Sequence, residues 1–210
     1  MSFKSTILRT FFSLRSRSVE RFRRHPVETQ RRQLERLLRE NARTEFGRRY
    51  DFAAIRTPEA FAQRVERFDY VSFKPYIDRM MAGEADVTVA GRVQWFARSS
   101  GTTSERSKYL PATDVSLWRC HTRGLRDVAT FYVGQYPSTQ VFEGKTLTLG
   151  GTCSKSGGIV VGDLSALLVE RTPFWSGWFR TPRRETALLP DFNEKVERIC
   201  RECSGERVTA

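Results

Sequence analysis

Soft metal ligands are scarce in these 210 residues, with two histidines and four cysteines in all. Neither His25 nor His121 has a Gly-x-Ser-x-Gly nucleophile to serve, which argues against a Ser-His-Asp hydrolase. Cys120 and Cys153 stand at no ligand spacing from His121. Cys200-Arg201-Glu202-Cys203 has the two-residue gap of zinc and redox pairs but lacks two further ligands, and both thiols continue an apolar helical stripe, so core packing is expected there and no metal site. So few cysteines, with no secretory signal ahead of them, read as reduced thiols of a cytoplasmic protein. Long apolar runs are also missing: Lys4, Arg9, Arg15 and Arg17 interrupt the first before it reaches the roughly 18 residues of a membrane span. No Gly-x-Gly-x-x-Gly fingerprint occurs, nor the two glycines and Lys-Ser/Thr of a Walker A loop.

Positive charge is plentiful and unevenly placed. The net charge is +12, and residues 1–50 hold fourteen Lys/Arg against five Asp/Glu, so +9 of it lies there. With 39% hydrophobic and 29% charged residues the chain is too apolar for general disorder and too polar for a membrane protein. Phe3, Ile7, Leu8, Phe11 and Phe12 fall at helical spacing in an Arg-rich segment. Two readings stand for it: a helix docked on the body of the protein, or one that lies on an anionic membrane surface or serves as a targeting segment. Basic and aromatic residues do not alternate as in single-strand binders, so no nucleic acid is expected.

Pro26 divides a helical pair over 1–45. Further helices are expected from Pro58 after Thr57, and over Phe73–Met81. From Val87 the period changes. Val93 to Ala97, Lys145 to Leu149 and Ile159 to Val161 read as strands. Between and after them come a long helix from Thr113 or Asp114, with Trp118, His121, Leu125, Val128 and Tyr132 as its inner stripe, a helix through Leu164 and Leu167, and a last one with Phe192, Val196, Ile199 and Cys200 on its inner side. The fold class is therefore α/β, a helical lead-in (1–45) followed by a sheet domain (46–210).

The chemistry is concentrated in Ser99-Ser100-Gly101-Thr102-Thr103-Ser104, which leaves a predicted strand, and in Lys108. Five hydroxyls and one glycine offer backbone N–H groups and side-chain donors to an anion with little bulk in the way. Lys108 adds a compact mobile charge suited to phosphate oxygens. Composition alone equally allows a Ser/Thr-rich surface turn without a ligand. Gly150 to Gly158 is a second small-residue segment, read as a flexible loop, a further anion loop or part of a pocket rim. Phe174, Trp175, Trp178 and Phe179 either pack against the sheet or line a pocket.

The order of residues narrows this choice. Ser-Ser-Gly-Thr-Thr, four residues, then Lys108-Tyr109-Leu110-Pro111 resembles the phosphate loop of the auxin-responsive acyl-acid amido synthetase family of the acyl-adenylate-forming superfamily. Phe73-Lys74-Pro75-Tyr76-Ile77-Asp78-Arg79 with Gly83-Glu84, Gly162-Asp163-Leu164-Ser165 and Pro173-Phe174-Trp175 are similar to its flanking segments, and the likeness runs from about Leu34 to Glu202. The resemblance implies a ligase that uses ATP and Mg²⁺ to convert an acyl acid to an acyl-adenylate, then passes the acyl group to an amine or amino acid. Carried over by position, Ser99, Ser100, Gly101, Thr102, Thr103 and Lys108 would cradle phosphate; no catalytic residue can be assigned.

Counterparts of the family's later motifs, for adenine, ribose and the C-terminal catalytic lysine, are not found in this sequence. The resemblance therefore implies an N-terminal portion, incomplete relative to the adenylate-forming fold and inactive or weak alone, whose C-terminal half would be a separate chain or a longer reading frame. An uncovered apolar face and self-association are expected of such a portion. The competing expectation is a non-enzymatic basic protein that binds anionic membrane surfaces or other anions through its N-terminal helices.

Overall fold

Short polar side chains and prolines set where the helices begin, and a few aromatic rings decide what they pack on. The computed structural model describes residues 3–99 and 107–210. The chain forms two compact units, one of Arg21–Thr113 with Gly157–Ile159, the other of Met1–Glu20, Asp114–Ser156 and Val160–Ala210. Helix α1 (Phe3–Arg24) ends at the His25-Pro26 step, and Pro26, at a position where its missing N–H costs nothing, opens α2 (Pro26–Asn41).

In the unit of Arg21–Thr113, α2 leads to α3 (Glu45–Arg49), capped by the Thr44 hydroxyl, which accepts the Gly47 N–H at 2.9 Å. A Cβ on Gly47 would lie 2.0 Å from the Asn41 carbonyl oxygen, so only glycine permits this close turn of α3 on the end of α2. Thr57 caps α4 (Pro58–Arg64). Asp69 and Ser72 form a reciprocal capping box that starts α5 (Tyr70–Met81) three residues before the expected Phe73. The hub of this unit is Phe46, with ring centroids of Tyr50, Phe52, Phe68, Phe73 and Tyr76 between 4.7 and 6.0 Å away. Such pairs contribute about 0.5–1.5 kcal/mol each beyond area burial. Ile55, Ile77, Met80, Val87, Val93 and Phe96 complete the core. Strands β1 (Trp95–Arg98) and β2 (Tyr109–Pro111) pair antiparallel with Phe96 opposite Pro111 and Arg98 opposite Tyr109.

In the other unit, Asp114–Gln135 is one helical run in three pieces: α6 (Asp114–Ser116), a π-helical stretch Leu117–Thr122, and α7 (Arg123–Gln135). The first part of α1 docks here. Arg15 makes a bidentate pair with Asp127 (2.7 and 3.0 Å), Phe12 stacks on Phe142 at 5.3 Å, and Arg9 donates to the carbonyls of Pro137 and Thr139. Strands β3 (Thr146–Leu147) and β6 (Arg180–Thr181) run parallel in this unit; along the chain, β4 (Cys153–Ser156) turns through Gly157 and Gly158, which belong to the unit of Arg21–Thr113, into β5 (Ile159–Gly162). Both turn glycines have positive φ, 57° and 80°, as a two-residue hairpin turn requires. Helices α8 (Leu164–Glu170), α9 (Arg184–Ala187) and α10 (Phe192–Cys203) follow.

Two stripes expected to face inward do not. On α7 and the π stretch, Trp118, Leu125 and Val128 are more than 60% exposed, and the buried positions are Leu117, Thr130 and Val133. The wider turn of the π stretch rotates the residues on either side of it out of simple α-helical phase. On α10, Phe192 and Val196 are exposed and Cys200 with them, while Lys195 is buried. Its ammonium donates to the carbonyls of Gly150 (2.9 Å) and Gly151 (3.4 Å), and Glu202 accepts from the Thr186 hydroxyl and the Arg183 N–H. Those polar contacts, not the apolar stripe, fix which side of α10 turns inward.

Candidate functional site

The segment that resembles a phosphate loop follows β1 and precedes β2 in the chain. Beyond the Arg98–Tyr109 pair the ladder gains one more rung, from the Ser99 N–H to the Lys108 carbonyl at 2.9 Å, so the segment has a closed neck. Ser100, Gly101, Thr102 and Thr103 lie outside the described residues; Ser99 and Lys108 are the two predicted positions whose places are known, and the neck brings them together.

A residue the sequence reading overlooked sits under the lysine. The Lys108 ammonium nitrogen lies 5.5 Å from the centroid of the Tyr70 ring, within cation–π range, and the Tyr70 hydroxyl accepts the Tyr109 N–H at 2.8 Å. Tyr70 thus holds both the side chain of Lys108 and the backbone of its neighbour. Tyr70 is itself fixed as the first residue of α5 by the Asp69 cap. The Asp69 carboxyl is held below its ordinary value chiefly by the Ser72 hydroxyl, then by the Ser72 N–H, with a smaller contribution from the charge on Lys108. The signal for this arrangement was Asp69-x-x-Ser72, a capping box with serine in place of the usual Glu or Gln.

The unit that contains α7 holds an apolar cavity of about 630 Å³. Leu8, Phe11 and Phe12 of α1 form one wall, Leu168 of α8 and Phe142 another, and Trp175 and Phe179 a third. Half of the aromatic segment therefore lines a pocket, while Phe174 and Trp178 project outward at 95% and 78% exposure; neither pair is packed away on a sheet as one reading expected. Among the described lining side chains, Arg180 on β6 is the one that is ionisable. Burial pushes its pKa down, the neighbouring charge of Arg184 acts in the same direction, and the carboxylate of Glu185 opposes both. The Ser176 hydroxyl, on the short 3-10 segment Phe174–Trp178, is buried and has no hydrogen-bond partner.

The segment Gly150–Gly158 is tied into the fold by hydrogen bonds. Its first carbonyls point at the Lys195 ammonium, the Thr152 N–H is taken by Asp163 at 3.0 Å, and the remainder is β4 and its hairpin turn. Burial raises the Cys153 thiol, helped by the charge of Glu170. Among the described residues no group of three or more His, Cys, Asp or Glu side chains could hold a metal ion, and no described helix is long and apolar enough to cross a membrane.

Comparison with known proteins gives a consistent answer. The model of the GH3 family N-terminal domain matches residues 15–197. A jasmonoyl–L-amino acid synthetase of Oryza sativa subsp. japonica is 37% identical over 92 residues, which is 43% of this chain and 20% of that protein. An indole-3-acetic acid-amido synthetase of Arabidopsis thaliana is 28% identical over 102 residues, 48% of this chain and 19% of that protein. The chain thus spans about a fifth of the length of these relatives. Among solved structures, the GH3.15 acyl acid amido synthetase superimposes with a TM-score of 0.61 at 21% identity, over 77% of this chain and 28% of that one, a likeness of fold. The mixed helix-and-sheet architecture accordingly corresponds to part of the α/β fold of that structure. A family match over most of the length, relatives of one kind, and a shared fold together show that this chain belongs to the GH3 family, of which it carries the N-terminal portion.

Proposed function

We propose that this chain supplies the phosphate-binding part of an ATP-dependent acyl-acid amido synthetase. The observation that carries the reading is the closed neck at Ser99 and Lys108, with the lysine seated on Tyr70 at the mouth of a Ser/Thr-rich segment. A polyphosphate needs many small donors and one mobile cation in that arrangement. Ser99, Ser100, Gly101, Thr102, Thr103 and Lys108 would hold the β- and γ-phosphates of magnesium ATP. Mg²⁺ would share the charge of the leaving pyrophosphate. An acyl carboxylate then attacks the α-phosphate, pyrophosphate departs, and an amine or amino acid takes the acyl group from the adenylate with release of AMP. What this chain's residues contribute is binding and charge stabilisation at the pyrophosphate end. On the same reading 46–210 is the ATP-binding portion, 1–45 its basic lead-in, and the cytosol its place of action.

Calorimetric titration with magnesium pyrophosphate tests this. Saturable binding is expected, weakened about tenfold or more in Lys108→Met, since a hydrogen bond to a charged group contributes about 1.5–3 kcal/mol. Absence of saturable binding by the wild-type chain sinks the reading.

A further inference from the structure

We infer that the unit of α7 docks on an anionic lipid membrane through the face where α1, the π-helical stretch and the Phe174–Phe179 segment meet. Phe174 and Trp178 enter the headgroup layer, and the arginines around them meet the lipid phosphates. The segment that resembles a phosphate loop lies in the other unit, and the inference does not depend on its role.

Charge is the first argument. Residues 5–19, 115–126 and 171–184 together hold ten arginines and no Asp or Glu. Three of the ten meet carboxylates outside these segments: Arg15 with Asp127, Arg171 with Asp114, and Arg184 with Glu185. Counting those carboxylates still leaves a large positive excess. An excess of this kind draws a protein to an anionic leaflet, at about fivefold in affinity for each arginine close to the surface.

Position is the second. The three segments adjoin, because Ile7 and Phe11, Leu125, and Trp175 with Phe179 are walls of one cavity. The Arg126 guanidinium lies 4.5 Å from the centroid of the Phe11 ring, so cation and apolar side chain from different segments sit side by side. Exposure is the third. Ile7, Leu125 and Trp175 are more than half exposed although they line that cavity, and Phe174 and Trp178 project beyond it. Exposed indole and phenyl rings ringed by arginine suit the boundary between acyl chains and headgroups.

Helix α10 supplies a contrast within the same unit. It too exposes apolar residues, Phe192 and Val196, but carries Glu194, Glu197 and Glu202 against Lys195, Arg198 and Arg201. A neutral apolar face has no preference for anionic lipid. Only the first face joins exposed rings to an excess of one charge.

Sedimentation of the full chain with phosphatidylcholine vesicles, with and without about a third phosphatidylglycerol, tests the assignment. Wild type should bind the anionic vesicles, hardly bind the neutral ones, and let go as salt is raised. Phe174→Ser with Trp178→Ser should weaken binding about tenfold or more, and Arg123→Gln with Arg183→Gln about twentyfold. Trp178→Tyr, which keeps an interfacial aromatic, should bind like wild type. Phe192→Ser with Val196→Ser on α10 should leave binding within about twofold. The altered side chains are solvent-exposed except Val196, which is two-fifths exposed, so the variants should melt with wild type and lost binding would not be lost fold. The proposal is overturned if anionic vesicles are not bound, if both vesicles bind equally, or if the Phe174 and Trp178 pair can be replaced without effect. Tighter binding of an oligouridylate than of the vesicles would also overturn it and give the face to nucleic acid. So would a chain that ignores vesicles and is dimeric by light scattering until Phe174 and Trp178 are replaced, which would give the face to a second copy.

Discussion

The two units solve the same problem with different materials. Around Phe46 the sequence spends its aromatic rings inward, and the unit of Arg21–Thr113 closes on itself. The unit of α7 and α10 buries short side chains, Ala166, Leu167, Val169 and Ala187, and leaves Trp118, Val128, Phe131, Phe174, Trp178 and Phe192 in solvent. Apolar patterning states which residues gain from burial; it does not state that a neighbour is present to bury them.

That contrast can be broken most forcefully at its centre. Phe46→Ala should cost about 3–5 kcal/mol in urea denaturation, whereas Phe131→Ala or Phe174→Ala in the other unit should stay within about 0.5 kcal/mol. Equal losses would mean that the exposed rings are covered in solution, as self-association would do. Lys195→Met sharpens the comparison from the other side. If a polar clamp orients α10, removal of the ammonium leaves two glycine carbonyls short of a donor, at about 1–3 kcal/mol by thermal melting. A neutral outcome would hand the orientation of α10 back to its apolar residues.

A smaller effect is expected at Tyr70. Tyr70→Leu should loosen magnesium pyrophosphate about threefold to tenfold when Lys108 is present, the worth of a cation–π contact, and should do nothing further in a Lys108→Met background. Additive losses would make Tyr70 a support for folding alone. Least of all is the acid response of the Phe46 unit. Glu45 and Glu84 are held below the ordinary 4.5 by hydrogen bonds from Arg79, and Asp69 below 3.8 by Ser72. Their contribution is present above those values and fades as pH falls through the lower folded-state values. The melting midpoint should therefore drop below about pH 4.5, less so in high salt because Asp69 and Glu84 are exposed and Glu45 partly so. An Arg79→Met variant with an unchanged acid profile would contradict this.

Much of the α/β order was legible. Pro26 and Thr57-Pro58 announce helix starts through local backbone chemistry, and the segment from Ser99 to Lys108 carried the family through the order of its residues. What escaped depended on contacts distant in sequence. β2 and β6 are two or three residues long and exist because β1 and β3 offer them a ladder. The inner face of α10 is set by carbonyls more than forty residues earlier, and no periodicity in its own twelve residues encodes them. The cavity was half visible, as an aromatic segment with two uses in prospect; Arg180 was not, because it reaches the cavity through the pairing of β6 with β3.

The neck at Ser99 and Lys108 also determines where evolution or an engineer has room to work. Side chains alternate along β2, so one residue added within Tyr109–Pro111 would exchange its two faces, carry the lysine away from Tyr70, and uncouple charge from ladder. Residues added between the two ends of the neck leave every rung in register. Length is thus a free variable on one side of Lys108 and a forbidden one on the other.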